Sequence, residues 1–204
     1  MINIRSFASD KRKKIDDKPF GGGCGMVMKI EPLYFAIKSI LIKRKSYSYK
    51  NIYEKPYVIY MSPQGKTLKN SIIKKLIRFK HIVILCGHYE GVDERIMNYV
   101  DEEISIGDYV LSGGEIPAMV LINTLSRMLP GVIEKYKCII NDSFYKDNLD
   151  YPCYTRPAIF KNLKVPEVLL SGNHKEIEKW KKKIAYERTK KRRPDLLKKS
   201  KKDF

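Results

Sequence analysis

The chain predicts an α/β fold built on a mostly parallel sheet, and three observations carry that prediction. Short apolar runs of strand length alternate with segments of helical spacing. Those runs are apolar throughout, as in strands covered on both faces. Each one ends in a polar, glycine-containing loop, and in such sheets ligands sit beyond the carboxyl ends of the strands.

Residues 2–7 (Ile-Asn-Ile-Arg-Ser-Phe) alternate like a short strand. Residues 11–14 are a basic run. A glycine cluster follows (Gly21, Gly22, Gly23, Gly25); it reads as a flexible turn or, from its place between a basic run and an apolar segment, as a loop facing a substrate. Over residues 31–42 the apolar positions Leu33, Ala36, Ile37, Ile40 and Leu41 recur at helical spacing, with Pro32 suited to a first turn. Residues 43–55 are polar, basic and tyrosine-rich, a surface connection.

The strand-loop-helix rhythm begins with residues 57–61, a strand ending in Ser62-Pro63-Gln64-Gly65. A helix over 71–79 leads to a second strand, 81–86, ending in Gly87-His88-Tyr89-Glu90-Gly91. After 92–100 a third strand, about 103–106, runs into a loop holding Gly107, Gly113 and Gly114. Convergence of three such loops predicts a ligand site. The segment 116–128 is a helix, with Pro117 near its start and Pro130-Gly131 as its stop. It is apolar on nearly every side, which predicts core or a subunit interface. Arg127 near its end complements the helix C-terminus.

Periodicity fades from 132 to 151, a linker containing Asn141-Asp142-Ser143-Phe144. Beyond it Asn173 and Glu176 have capping-box spacing, and Ile177, Trp180 and Ile184 form an apolar stripe. Trp180 reads as core of a small domain in preference to a base-stacking platform. The expected organisation is a ligand-binding domain over 1–132, a linker over 133–150 and a basic helical domain over 151–204.

The formal charge of +18 favours an anionic partner, nucleic acid first and an anionic membrane surface second. Residues 175–204 hold fourteen Lys/Arg against five Asp/Glu, half of the net charge, which a uniform compositional bias would not produce. The scattered cysteines (Cys24, Cys86, Cys138, Cys153) form no C-x-x-C pair, so neither a zinc site nor a disulfide framework is expected, and a cytoplasmic location fits. No apolar run approaches the length of a membrane span.

Gly65-Lys66-Thr67 invites a phosphate-binding P-loop, but the first glycine of that motif would fall on Tyr60. No G-x-G-x-x-G opens a helix. The converging loops offer backbone groups and hydroxyls with few cations, so their ligand needs hydrogen bonds and shape more than phosphate neutralisation. S-adenosylmethionine fits, its sulfonium charge suiting carbonyls or a carboxylate such as Glu90.

Residues 86–95 (Cys-Gly-His-Tyr-Glu-Gly-Val-Asp-Glu-Arg), 105–115, Tyr154-Thr155-Arg156-Pro157 and Leu170-Ser171-Gly172-Asn173-His174 closely resemble the bacterial-type tRNA (guanine-N1)-methyltransferases, of the knotted SPOUT class. The resemblance implies a parallel-sheet domain with a C-terminal trefoil knot and a small basic helical domain. It implies methyl transfer from S-adenosylmethionine to N1 of the guanine immediately 3′ of the anticodon. The other readings are a reduced tRNA-binding protein and a SPOUT enzyme acting on another RNA base.

Carried over residue by residue, cofactor contacts fall on Tyr60, Met61, Ser62, Pro63, Gly65, Gly87, Tyr89, Glu90, Gly91, Ser105, Ile106, Gly107, Tyr109, Leu111, Gly113, Gly114 and Pro117. Catalytic roles fall on Asp142 as general base, Arg127 beside it and Glu90. Substrate contacts fall on Gly25, Ser143, Asn173 and His174. The implied partners are the tRNA anticodon arm and a second copy of the chain, with a composite site across the homodimer; neither membrane nor DNA is expected. No protein-held metal is expected, and Mg2+ enters by resemblance only. The family pattern opens with a strand and helix ahead of the segment matching Ile2-Asn3-Ile4-Arg5, so an exposed sheet edge is expected here. Cys24 stands where a proline is usual, and His88 where an arginine is common.

Overall fold

A computed structural model describes residues 1–45, 50–133 and 136–199. Parts of the surface connection (46–49), the linker (134–135) and the basic tail (200–204), with the side chain of Cys138, lie outside the described residues. The chain forms two compact units, Met1–Leu129 and Pro130–Phe204.

The first unit opens with a 3-10 helix, Ile4–Phe7, where the alternating pattern predicts a strand. Asn3 decides the matter. Its Oδ1 accepts from the Arg5 amide at 3.0 Å, and the Ser6 amide bonds back to the Asn3 carbonyl. Such local bonding competes with a sheet ladder, and no described strand pairs with this segment. Next, β1 (Asp16–Asp17) and β2 (Val27–Met28) pair antiparallel and carry the glycine cluster between them. Helix α1 spans Ile30–Lys45.

The main sheet consists of β3 (Tyr57–Thr67), β4 (Ile82–Cys86) and β5 (Glu102–Ser105), parallel and in the order β4-β3-β5. Its connections are α2 (Asn70–Leu76) and a 3-10 helix, Glu94–Tyr99. Alternate side chains of β3 feed two cores. Val58 and Tyr60 pack with Met28, Leu33, Ile37, Leu85 and Ile96, whereas Ile59 and Met61 pack with Ile73, Leu76, Ile104, Ala118 and Leu121. Burial on both faces is why the strand reads as an unbroken apolar run. With β3 central, β4 and β5 are the edges of this sheet.

Strand β3 is longer than its apolar run because it meets β5 twice. Met61 and Lys66 both stand opposite Ile104, so residues 62–65 leave the ladder and return to it. Gly65 permits the return. A Cβ there would lie 2.4 Å from the Ile104 amide nitrogen and 2.6 Å from the Glu103 carbonyl oxygen. At the opposite end of the sheet the buried Glu102 carboxylate accepts from Tyr57 Oη at 3.1 Å and Lys75 Nζ at 3.0 Å. Burial opposes the charge on Lys75, but its bonds to Tyr57 and Glu102 outweigh this and raise its pKa.

Helix α3, Glu115–Met128, buries Ala118 and Leu121, while Ile116, Met119, Val120 and Ile122 are exposed on the chain. The all-round burial suggested by its composition is therefore not met within this chain.

The second unit contains α4 (Tyr136–Asn141), a hairpin of β6 (Ile159–Phe160) and β7 (Leu163–Lys164), α5 (Glu167–Leu170), α6 (His174–Arg192) and α7 (Pro194–Lys199). Asn173 caps α6, its Oδ1 accepting from the Glu176 amide at 3.4 Å. Ile177, Trp180 and Ile184 are half-buried along that helix. Thr189, fully buried, accepts from the Leu149 amide at 2.9 Å and donates to the Ala185 carbonyl at 2.7 Å. Among the described residues no helix is long and apolar enough to cross a membrane.

Candidate cofactor cleft

The carboxyl ends of β3, β4 and β5 open onto a cleft of about 310 Å³, within the range of small-molecule sites, roughly 300–1,000 Å³. Three segments wall it: 60–64, 87–92 and 103–114, with Pro117 of α3. Ser62, Pro63 and Gln64 reach it because they are expelled from the β3–β5 ladder. The excursion turns sheet backbone into ligand-facing backbone.

The second and third walls are fastened to each other. The Gly114 amide donates to the Gly87 carbonyl at 2.9 Å, and His88 bridges to Gly113. His88 Nε2 lies 2.5 Å from Glu115 Oε1. The approach is too close for a side chain at Gly114, where a Cβ would stand 2.7 Å from the Cys86 Cα. Within the third wall Ser105 Oγ accepts from the Gly107 amide at 3.1 Å, and Tyr109 Oη donates to the Ile106 carbonyl at 3.2 Å.

The floor is Tyr60, almost fully buried. Burial first, then the charges of Glu103 and Glu94, push its hydroxyl pKa up, so it stays a neutral hydrogen-bonding group at ordinary pH. Burial and the Glu115 charge likewise raise the Cys86 thiol, making it a poor nucleophile. The mouth is set by segment 88–93 against β2. The Glu90 amide donates to the Met26 carbonyl at 3.0 Å, and the Met28 amide to the Gly91 carbonyl at 2.9 Å. Gly25 sits against Glu90, its Cβ direction meeting Oε1 at 2.5 Å.

Of the residues expected at the cofactor, all but Gly65 line this cleft; Gly65 stands behind it, at the crossing with β5. Glu90 lines it too, and Gly25 adjoins Glu90. Arg127 lies exposed in the last turn of α3, on the first unit. The other expected residues belong to the second unit. Half-buried Asp142 directly follows α4, its amide bonded to the Ile139 carbonyl and its carbonyl to the Tyr145 amide. Ser143 Oγ accepts from the Asp150 amide at 2.9 Å. Asn173 caps α6, and His174 is that helix's exposed first residue.

Sequence reasoning missed Gln64, Val92, Glu94, Glu103, Ile104, Val110 and Ser112 in the lining, and it noted His88 only as a departure. Glu103 had a usable signal: a carboxylate within the short third strand that runs directly into the glycine-containing loop. Together with Glu90 and Glu94 it gives the cleft three carboxylates, and no Lys or Arg lines it. Such a set suits a ligand with a cationic centre and no phosphates. Among the described residues no cluster of three His, Cys, Asp or Glu groups could hold a metal ion.

Parallel strands, a doubled β3–β5 crossing and a cleft pinned by glycines belong to an α/β domain of the SPOUT class. The family model for tRNA (Guanine-1)-methyltransferase TrmD matches residues 1–199, and the chain belongs to that family. It is 68% identical over 199 residues to a tRNA (guanine-N(1)-)-methyltransferase of Endomicrobium trichonymphae, covering 98% of this chain and 85% of the relative. Identity to the protein of that name from Fervidobacterium nodosum is 54%, covering 97% of this chain and 76% of the relative. For the one from Ruminiclostridium cellulolyticum the values are 52%, 97% and 82%.

Proposed function

We propose that this chain transfers a methyl group from S-adenosylmethionine to N1 of the guanine immediately 3′ of the anticodon in tRNA. Membership of the family and the names of its relatives support the reaction. The structural observation that carries the reading is the cleft: three carboxylates, no Lys or Arg, and glycine-pinned walls at the ends of a parallel sheet. A sulfonium is stabilised there, whereas a nucleotide's phosphates would be repelled. Bound S-adenosylmethionine supplies an electrophilic methyl group. Tyr60, the backbone of 62–64 and the loops 87–91 and 105–114 hold it in a fixed pose, with Glu90 near its positive charge.

The remaining chemistry falls to side chains. N1 of guanine carries a proton and cannot attack until it leaves. Asp142 takes that proton as general base. Negative charge then builds on O6 of the base, where the Arg127 guanidinium stabilises it selectively in the transition state. Gly25, beside Glu90, leaves room for the base at the mouth of the cleft, and Ser143, Asn173 and His174 form the substrate side on the second unit. Alignment of base and methyl supplies much of the remaining acceleration, after the base leaves its stack. The basic helical unit holds the anticodon arm by phosphates and shape.

The catalytic unit is a homodimer in this reading, with Arg127 and Asp142 meeting the cofactor across the interface. The exposed Ile116, Met119, Val120 and Ile122 of α3 supply an apolar face for the second copy. The free thiols Cys24, Cys86 and Cys153 suit a cytoplasmic setting.

Two measurements test this. Mass mapping of tRNA incubated with protein and cofactor should place one methyl group on N1 of that guanine; a product on another nucleotide, or none, refutes the assignment. Asp142→Ala should lower transfer on the order of 10²–10⁴-fold with cofactor affinity retained. Full activity in that variant would remove Asp142 from the role.

A further inference from the structure

The first unit carries a basic element that the cleft does not use. Residues Lys11, Arg12, Lys13 and Lys14 are all exposed, on a turn the sequence holds tightly. Asp10 organises it. Its Oδ1 accepts from the Arg12 amide at 2.8 Å, and its Oδ2 from the Lys14 amide at 3.1 Å. The Lys13 amide bonds to the Asp10 carbonyl at 3.0 Å, and Arg5 Nη1 donates to the Lys13 carbonyl at 3.2 Å. Lys13 is held at φ +51°, a conformation uncommon for a residue that bears a side chain. The one carboxylate within the turn is thus occupied by backbone amides, and none of the four cations makes an ion pair among the described residues.

The turn is coupled to the cleft by a short ladder. The Lys29 amide donates to the Ile15 carbonyl at 2.7 Å, Asp16 pairs with Met28, and Met28 pairs with Val92 of the cleft wall. Two ladder steps of roughly 4.8 Å put the base of the turn about 10 Å from that wall. The same ladder adjoins the mouth where Gly25 meets Glu90, because the Glu90 amide bonds to the Met26 carbonyl just ahead of β2. Asp16 and Asp17 also follow the turn; Asp17 Oδ1 accepts from the Lys18 amide at 2.8 Å.

We propose that this Asp10-organised turn is an RNA-backbone grip. It would hold the phosphates that adjoin the target nucleotide while the base enters the cleft, independently of the basic helical unit. The proposal rests on the reading of tRNA as substrate and adds a positioning surface on the first unit. A Lys/Arg group contacting a phosphate releases counterions, so each contact contributes to the salt dependence of binding, with a slope of roughly −0.7 to −0.9 per phosphate.

The test uses the full chain, unmodified tRNA transcript and fluorescence anisotropy across a salt series. The triple variant K11Q/R12Q/K14Q should bind tRNA about tenfold more weakly near 0.1 M salt, with a log–log salt slope shallower by about 2. Its cofactor affinity by calorimetry should match the parent, and KM for tRNA should rise more than kcat falls. Parent-like affinity and slope would overturn the proposal. A second variant separates a built turn from bulk charge. Asp10→Ala makes the chain more positive, so nonspecific attraction alone predicts equal or tighter binding, whereas loss of the organised turn predicts weaker binding. Equal or tighter binding would also overturn the proposal. The underlying functional reading fails on a different result: a parent protein that moves no methyl group to tRNA.

Discussion

Two sets of glycines in the first unit share a residue type and exist for different reasons. Gly21 and Gly22 sit at φ +84° and +81°, and a Cβ on either would meet nothing within 4 Å. They serve the path of the chain between β1 and β2. Gly114 and Gly65 have no such backbone requirement, but a Cβ on either would strike main-chain atoms within 2.7 Å. They serve close approach, one between the cleft walls and one where β3 returns to β5. A glycine-rich string in a sequence therefore does not say whether freedom or proximity is needed. The structure separates them by what stands opposite the missing side chain.

The widest gap should appear at Gly65. Its added Cβ meets backbone of β5 on several atoms, which cannot rotate away. Gly65→Ala should cost about 3 kcal/mol or more and lower Tm by on the order of 10 °C in a thermal melt. A melt within a degree of the parent would show that the crossing can open. Gly114→Ala comes next. It should separate the two cleft walls and weaken S-adenosylmethionine binding at least tenfold by calorimetry, with a smaller loss of stability. Gly22→Ala is the counterpart, with only left-handed backbone strain of about 1 kcal/mol, a Tm shift of roughly 2–4 °C and unchanged cofactor affinity. If Gly22→Ala abolished cofactor binding, the contrast between the two sets would collapse.

The smallest effect tests what anchors the segment after the second wall. Asp93 caps the 3-10 helix Glu94–Tyr99, and the Arg95 guanidinium beside it, with the Arg95 amide, holds its carboxyl below the ordinary carboxylate value. A carboxylate depressed in the folded state contributes stability above its unfolded value, near 3.9. That stability is lost as pH falls through the folded value. Asp93→Asn should therefore lower Tm slightly at neutral pH and lessen the parent's fall in Tm between about pH 5 and pH 2. An identical acid fall in both proteins would remove Asp93 from the account.

The sheet was legible because β3 and β4 must be apolar on both faces, and continuous runs of that kind have few other interpretations. The cleft was legible for a related reason, since parallel strands bring their carboxyl-end loops together. What escaped was set by partners remote in sequence. Residues 2–7 alternate as a strand would, but Asn3 satisfies the Arg5 amide locally and no strand among the described residues pairs with them. The hairpin of β6 and β7 turns on Lys161 and Asn162, both at positive φ, without the glycine that usually marks such a turn. Glu94 joins the cleft only because a 3-10 helix follows Asp93. For α3, composition showed an apolar helix but not that half of it faces outward on the single chain. Asp142 stands in a linker without periodicity, where only the family resemblance distinguished it from any turn residue.

The doubled pairing of β3 with β5 also has a consequence in time. Ile104 must find Met61 and Lys66, both about forty residues earlier, and β5 is seated only when both arms of β3 are in place. Local helix formation cannot prepare such a contact. Refolding of the first unit from denaturant should accordingly be governed by a search among distant segments, in milliseconds to seconds or slower. The chain that presents Ser62 to Gln64 to a ligand does so by accepting a slow route to its native state.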